Sequence, residues 1–93
     1  MGGQVGWPFL TPHARVLAAI ARTPDARIRD IAFACQITER TAHTVVSDLE
    51  RAGFLTRKRV GRRNHYVLHP ERGRCHPAEV RLSVPALLVL LTG

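Results

Sequence analysis

Cysteine is scarce in this 93-residue chain. Cys35 and Cys75 are the only two, too few for a disulfide framework and without the paired spacing of a structural zinc site. Cys75 and His76, near His69 in sequence, do not change this, because adjacent ligands compete sterically. No metal and no cofactor are expected. Long apolar runs are also missing: the longest, Val84 to Leu91, is eight residues with Pro85 inside it. A membrane-spanning helix needs roughly 20. The N-terminus Met1-Gly2-Gly3-Gln4-Val5-Gly6 carries no positive region, apolar run or cleavage site, so a cytoplasmic protein without a secretory signal is expected. Aromatics are sparse, at three Phe, one Trp and one Tyr, with no stacking platform of the kind single-stranded RNA requires. Carboxylates number seven, and no Ser, His and acid grouping or phosphate-binding glycine loop is visible. An enzyme is not expected.

What is abundant is arginine. Fourteen Lys+Arg against seven Asp+Glu leave a net charge of +7, and thirteen of the fourteen cations are Arg. A guanidinium forks onto a phosphate or a guanine edge where an ammonium acts as a point charge. The excess has an address: residues 57–74 hold seven cations and one acid, supplying +6 of the +7. A G·C-biased coding sequence would also enrich Arg, but it would not cluster it. A polyanionic partner, nucleic acid first, is the expectation.

Proline and glycine punctuate the chain. Thr11-Pro12 reads as an N-cap and first-turn proline of a helix that continues from His13 to Arg22. Val16, Leu17 and Ile20 make its larger apolar stripe, and His13 shares that face. Ala14, Ala18 and Ala21 form a second, small-residue face on which another helix can approach closely. Ile28, Ile31, Ala32 and Cys35 fall at i, i+3, i+4 and i+7, one face of a second helix starting near Arg29. Cys35 there is a buried small hydrophobe rather than a redox switch. Phe33 falls on the opposite face, where an exposed ring calls for a cover. Thr38 is a good N-cap for a third helix, with Ala42, Val45, Val46 and Leu49 inward and Gly53 at its left-handed stop. From Phe54 the period changes. Leu55 to Val60 and Asn64 to Leu68 read as two strands joined across Gly61-Arg62-Arg63. After a polar link, Ser83 caps a last short apolar helix.

Helix, helix, turn, helix and basic hairpin resemble the winged helix-turn-helix, over Phe9 to Leu68. The wording of five stretches resembles small bacterial MarR-like transcriptional regulators: Phe9-Leu10-Thr11-Pro12-His13-Ala14-Arg15-Val16-Leu17, Ile28-Arg29-Asp30-Ile31-Ala32, Ile37-Thr38-Glu39-Arg40-Thr41, Asp48-Leu49-Glu50-Arg51-Ala52-Gly53-Phe54-Leu55 and Gly61-Arg62-Arg63-Asn64-His65-Tyr66. The resemblance implies an α+β, mainly α fold: a three-helix core, a two-stranded wing and an extra short C-terminal helix. It implies that the helix after the turn lies in the DNA major groove while the wing follows the backbone or enters the minor groove. One departure stands out. Such turns often carry Gly where this chain has Gln36, so either Gln36 takes a strained backbone or the turn differs.

Helical geometry alone places Arg40, Thr44, Ser47 and Arg51 opposite Ala42, Val46 and Leu49. Arg40, Thr41 and Thr44 occupy the N-terminal half, which approaches base edges in such docking, whereas Ser47 and Arg51 suit phosphates. His43 lies on the flank, as a DNA contact or a solvated side chain. A merely solvated face balanced by Glu39, Asp48 and Glu50 is the alternative. In the hairpin, Arg62 and Arg63 at the tip suit the minor groove, and Arg57, Lys58 and Arg59 would line the stem against phosphates. Edge cations that discourage strand pairing are the competing use.

The chain divides on this reading into an N-terminal arm (1–10), a winged helix-turn-helix domain (11–70) and a C-terminal extension (71–93). The expected function is sequence-specific double-stranded DNA binding by a transcriptional regulator. A homodimer is expected through Trp7, Phe9, Ala14, Ala18, Leu87, Leu88 and Leu91, because the Leu-rich end exceeds what one side of a two-turn helix buries. The length leaves little room for a small-molecule effector pocket. The alternative function is a protein-interaction module that docks an acidic partner on its basic ribbon without touching DNA.

Overall fold

Thr11 and Pro12 open the first helix as predicted. In the computed structural model, which describes residues 10–73 and 83–92, α1 spans Pro12–Arg22 and the Thr11 hydroxyl accepts from the Ala14 N–H at 3.3 Å. Pro12 at the first helical position forfeits no bond, since that N–H has no helical partner. The second helix, α2, runs Ile28–Cys35, one residue earlier than the periodicity predicts. It stops at Gln36, which adopts the left-handed conformation at φ 56°, ψ 48°. The backbone there is strained, not rerouted. The stop is held by Ile37 N–H donating to Ala32 O at 3.0 Å and by Arg15 Nη1 donating to Cys35 O at 3.0 Å.

The third helix, α3, spans Glu39–Arg51, with the Thr38 hydroxyl accepting from the Thr41 N–H at 3.0 Å. Gly53 takes φ 89° just beyond it, and Phe54 N–H closes back on Leu49 O at 2.9 Å. Two antiparallel strands follow, β1 (Leu55–Val60) and β2 (Arg63–Leu68), in a register pairing Leu55 with Leu68, Arg57 with Tyr66 and Val60 with Arg63. Arg63, expected in the turn, is thus the first residue of β2. Two residues suffice to reverse the chain because Gly61 opens the turn at φ 62°, a left-handed value that glycine accepts without strain. The last helix, α4, spans Val84–Thr92, and the Ser83 hydroxyl accepts from the Ala86 N–H at 3.2 Å.

The three apolar stripes meet in one core: Val16, Leu17 and Ile20 from α1, Ile31 and Cys35 from α2, Val45, Val46 and Leu49 from α3. Leu55 and Tyr66 attach the hairpin to it, and Tyr66 N–H also donates to Pro24 O at 2.8 Å, pinning β2 to the segment between α1 and α2. Helix α4 packs on α1 and contributes Leu88. Ala18 and Leu88, expected at a dimer contact, are buried in the chain's own core. Burying α4 against α1 within one chain covers both. Ala14, Leu87 and Leu91 are half-buried, and Val89 and Leu90 are 68% and 82% exposed. Trp7, Phe9, Cys75 and His76 lie outside the described residues, as does most of the 71–93 extension before α4. His13 does not pack on the Leu17 face; it is exposed and reaches across to α3. Among the described residues no helix is long and apolar enough to cross a membrane.

Candidate nucleic-acid interface

With Ala42, Val45, Val46 and Leu49 committed to the core, the 3.6-residue period turns the rest of α3 outward. Arg40, Thr41, His43, Thr44, Ser47 and Arg51 are all exposed along that face. Their local bonding differs. The Thr44 hydroxyl donates to Arg40 O at 3.2 Å, so its hydrogen is committed to the helix and its oxygen remains an acceptor. The Thr38 hydroxyl donates to Thr41 Oγ1 at 2.9 Å, which leaves the Thr41 hydroxyl hydrogen for an acceptor elsewhere.

The C-terminal half of α3 is tied down by Asp48. Its carboxylate accepts from His13 Nε2 at 3.0 Å and from Arg51 Nη2 at 2.5 Å, joining the start of α1 to the end of α3. The hydrogen bond from His13, and after it that from Arg51, hold the Asp48 carboxyl below its ordinary range. Arg51, expected to meet phosphate directly, has a carboxylate partner already.

The hairpin sorts its cations by strand parity. Leu55 faces the core, and Arg57 and Arg59 share its pleat face with Asn64, Tyr66 and Leu68. Arg57, expected on the exposed stem, is half-buried, and its Nη2 pairs with Glu50 Oε1 at 3.5 Å. That pair links the wing to α3. Arg59 lies beyond the core's edge, exposed, with Nε donating to Gly61 O at 3.2 Å. Lys58 and Arg63 occupy the outer face with His65 and Val67, and Arg62 occupies the turn. Lys58, Arg59, Arg62 and Arg63 are exposed. Glu50, read from sequence as a balancing surface charge, is therefore a positioning residue for Arg57. The parity of Leu55 carried that signal.

Cys35 is buried where α2 ends. Burial pushes its thiol up against the opposing pull of Arg15 and Arg22, so it packs as a small hydrophobe.

A three-helix core whose third helix follows a tight turn and precedes a two-stranded basic hairpin defines a winged helix-turn-helix domain. The profile of the MarR family matches residues 8–63. The chain belongs to the MarR family. Two solved structures share its fold at a TM-score of 0.60: MepR, a transcription regulator of the Staphylococcus aureus multidrug efflux pump MepA, and the PcaV transcriptional regulator from Streptomyces coelicolor in complex with its natural ligand. MepR is 21% identical, with 87% of this chain and 56% of that one covered. PcaV is 24% identical, with 97% and 62% covered. The chain thus spans less than two thirds of either. None of the curated proteins compared matches it.

Proposed function

We propose that the chain is a sequence-specific double-stranded DNA-binding transcriptional regulator, with α3 in the major groove and the wing on the backbone or in the minor groove. The observation that carries this reading is the pairing of two surfaces. The outer face of α3 presents Arg40, Thr41, His43, Thr44 and Ser47, and the Glu50–Arg57 ion pair attaches to that helix a hairpin whose Lys58, Arg59, Arg62 and Arg63 are exposed. Membership of the MarR family supports it. Arg40 is assigned to a guanine edge and the Thr41 and Thr44 methyls to thymine, with Ser47 and Arg51 on phosphates. For Arg51 this requires exchanging Asp48 for a phosphate.

The regulator is read as a homodimer. Val84 to Leu91 is apolar on every side of α4, yet Val89 and Leu90 stay exposed in the single chain. A second copy, contacted there and at Leu87 and Leu91, with Trp7 and Phe9 of the arm, covers them.

The test is a duplex-binding titration on a site selected from random sequence. Arg40→Ala is expected to cost about 1–3 kcal/mol on the selected site and far less on random duplex. Equal affinity of both proteins for the selected site contradicts the assignment. Binding to an acidic peptide with no affinity for any duplex establishes the protein-docking alternative instead.

A further inference from the structure

Beneath the tip of the wing lies a hollow of about 250 Å³ between β2 and the segment leading into α2, lined among others by Asp25, Arg27, Arg62, Arg63 and Asn64. Arg27 sits 35 and 36 residues from Arg62 and Arg63 in sequence, and only the fold brings it to them. The wall that carries it is held in place. Pro24 O accepts from Tyr66 N–H at 2.8 Å, and Ala26 N–H donates to Thr23 O at 3.1 Å. Arg27 O accepts from the Asp30 and Ile31 N–H groups, each at 3.0 Å, but its side chain caps nothing.

Several of the other described arginines are occupied, although Arg29 and Arg40 are not. Arg15 and Arg22 donate to backbone carbonyls at the ends of α2 and α4, Arg51 and Arg57 to carboxylates, and Arg59 to Gly61 O. The guanidiniums of Arg27, Arg62 and Arg63 bond to no other described residue. Arg27, Arg62 and Arg63 outnumber the one carboxylate of this lining, Asp25, and exposed guanidinium donors suit phosphate oxygens. Asp25 stands in the same hollow and in a neighbouring one of about 310 Å³, where it joins Asp30. That second hollow holds two carboxylates to one arginine. The anion therefore belongs on the wing side, with Asp25 opposing it.

We infer that this hollow is a seat for a backbone phosphate of duplex DNA, in which Arg27 completes a set with Arg62 and Arg63 and Asp25 limits the affinity. The inference rests on the DNA-binding reading and adds to it a contact outside both α3 and the wing. It is tested by fluorescence anisotropy of the full chain on the selected site and on random duplex, across a salt series. Arg27→Ala is expected to weaken binding to both duplexes alike and to lower the slope of log K against log[salt] by about one, the share of a single phosphate. Arg27→Lys restores the slope, because an ammonium also releases a counterion. Asp25→Asn tightens binding to both duplexes, most at low salt. The thermal melt of each variant matches wild type, since neither side chain bonds to the rest of the fold. If Arg27→Ala and Asp25→Asn leave affinity and slope unchanged while Arg40→Ala weakens the selected site, the phosphate seat is wrong and the DNA-binding reading stands. A wild-type chain that binds no duplex overturns both.

Discussion

Asp48 carries more of the interface geometry than its position on a solvated helix face implies. It joins His13 of α1 to Arg51 of α3, and those two hydrogen bonds depress its carboxyl. A depressed carboxyl contributes stability that is present above its ordinary titration range and is lost as pH falls through the lowered value. In an NMR titration the Asp48 carboxyl is therefore expected to titrate below the usual carboxylate range. His13→Ala moves it back up, leaving only the share due to Arg51. An Asp48 that titrates normally in the wild-type chain, or ignores the loss of His13, refutes this link. The link also sets the cost of using Arg51 on DNA, because a phosphate must displace a carboxylate before Arg51 contributes.

At the scale of elements, the sequence speaks through local rules, and the structure departs from it where distant residues meet. Thr11-Pro12, Thr38 and Gly53 mark helix ends by bonds within four residues of themselves, so they are readable in a string of letters. The change of period makes the hairpin legible, but it does not fix whether the turn has two residues or three, which depends on pairing Val60 with Arg63. The roles of Arg57 and His13 were not legible. Each depends on a partner brought by the tertiary fold, Glu50 for one and Asp48, 35 residues away, for the other. The α3 face was readable because periodicity alone decides which side is wet. Gln36 shows the remaining kind of information. The sequence marks it as out of place, and the structure shows the cost, a left-handed residue with a side chain at the end of α2. Gln36→Gly is expected to stabilise the fold by about 1 kcal/mol, the order of the left-handed penalty for a residue with a Cβ. Urea denaturation checks it. A loss of stability would mean that the Gln36 side chain contributes more than its backbone costs.

At the scale of the whole molecule, the basic cluster and the exposed residues of α4 lie on different elements. The cations concentrate in and after the hairpin, which also exposes Val60, while Phe33 is exposed on α2 and Val89 and Leu90 on α4, which packs on α1. A dimer through α4 leaves the wing and α3 of each copy free, so that two copies address paired half-sites on one duplex. Sedimentation at micromolar concentration is expected to show a dimer that Leu90→Glu converts to monomer. A wild-type monomer at that concentration removes the dimer and the paired half-sites with it.

The central claim is that the outer face of α3 and the basic wing act as one surface on one duplex. Backbone amide NMR of the full chain, with and without a short duplex carrying the selected site, tests it most directly. Shift changes are expected to fall together on residues 39–51 and 57–65, and to fade together as salt is raised. Changes confined to one of the two segments, or scattered over α1 and α4 with both segments silent, contradict it.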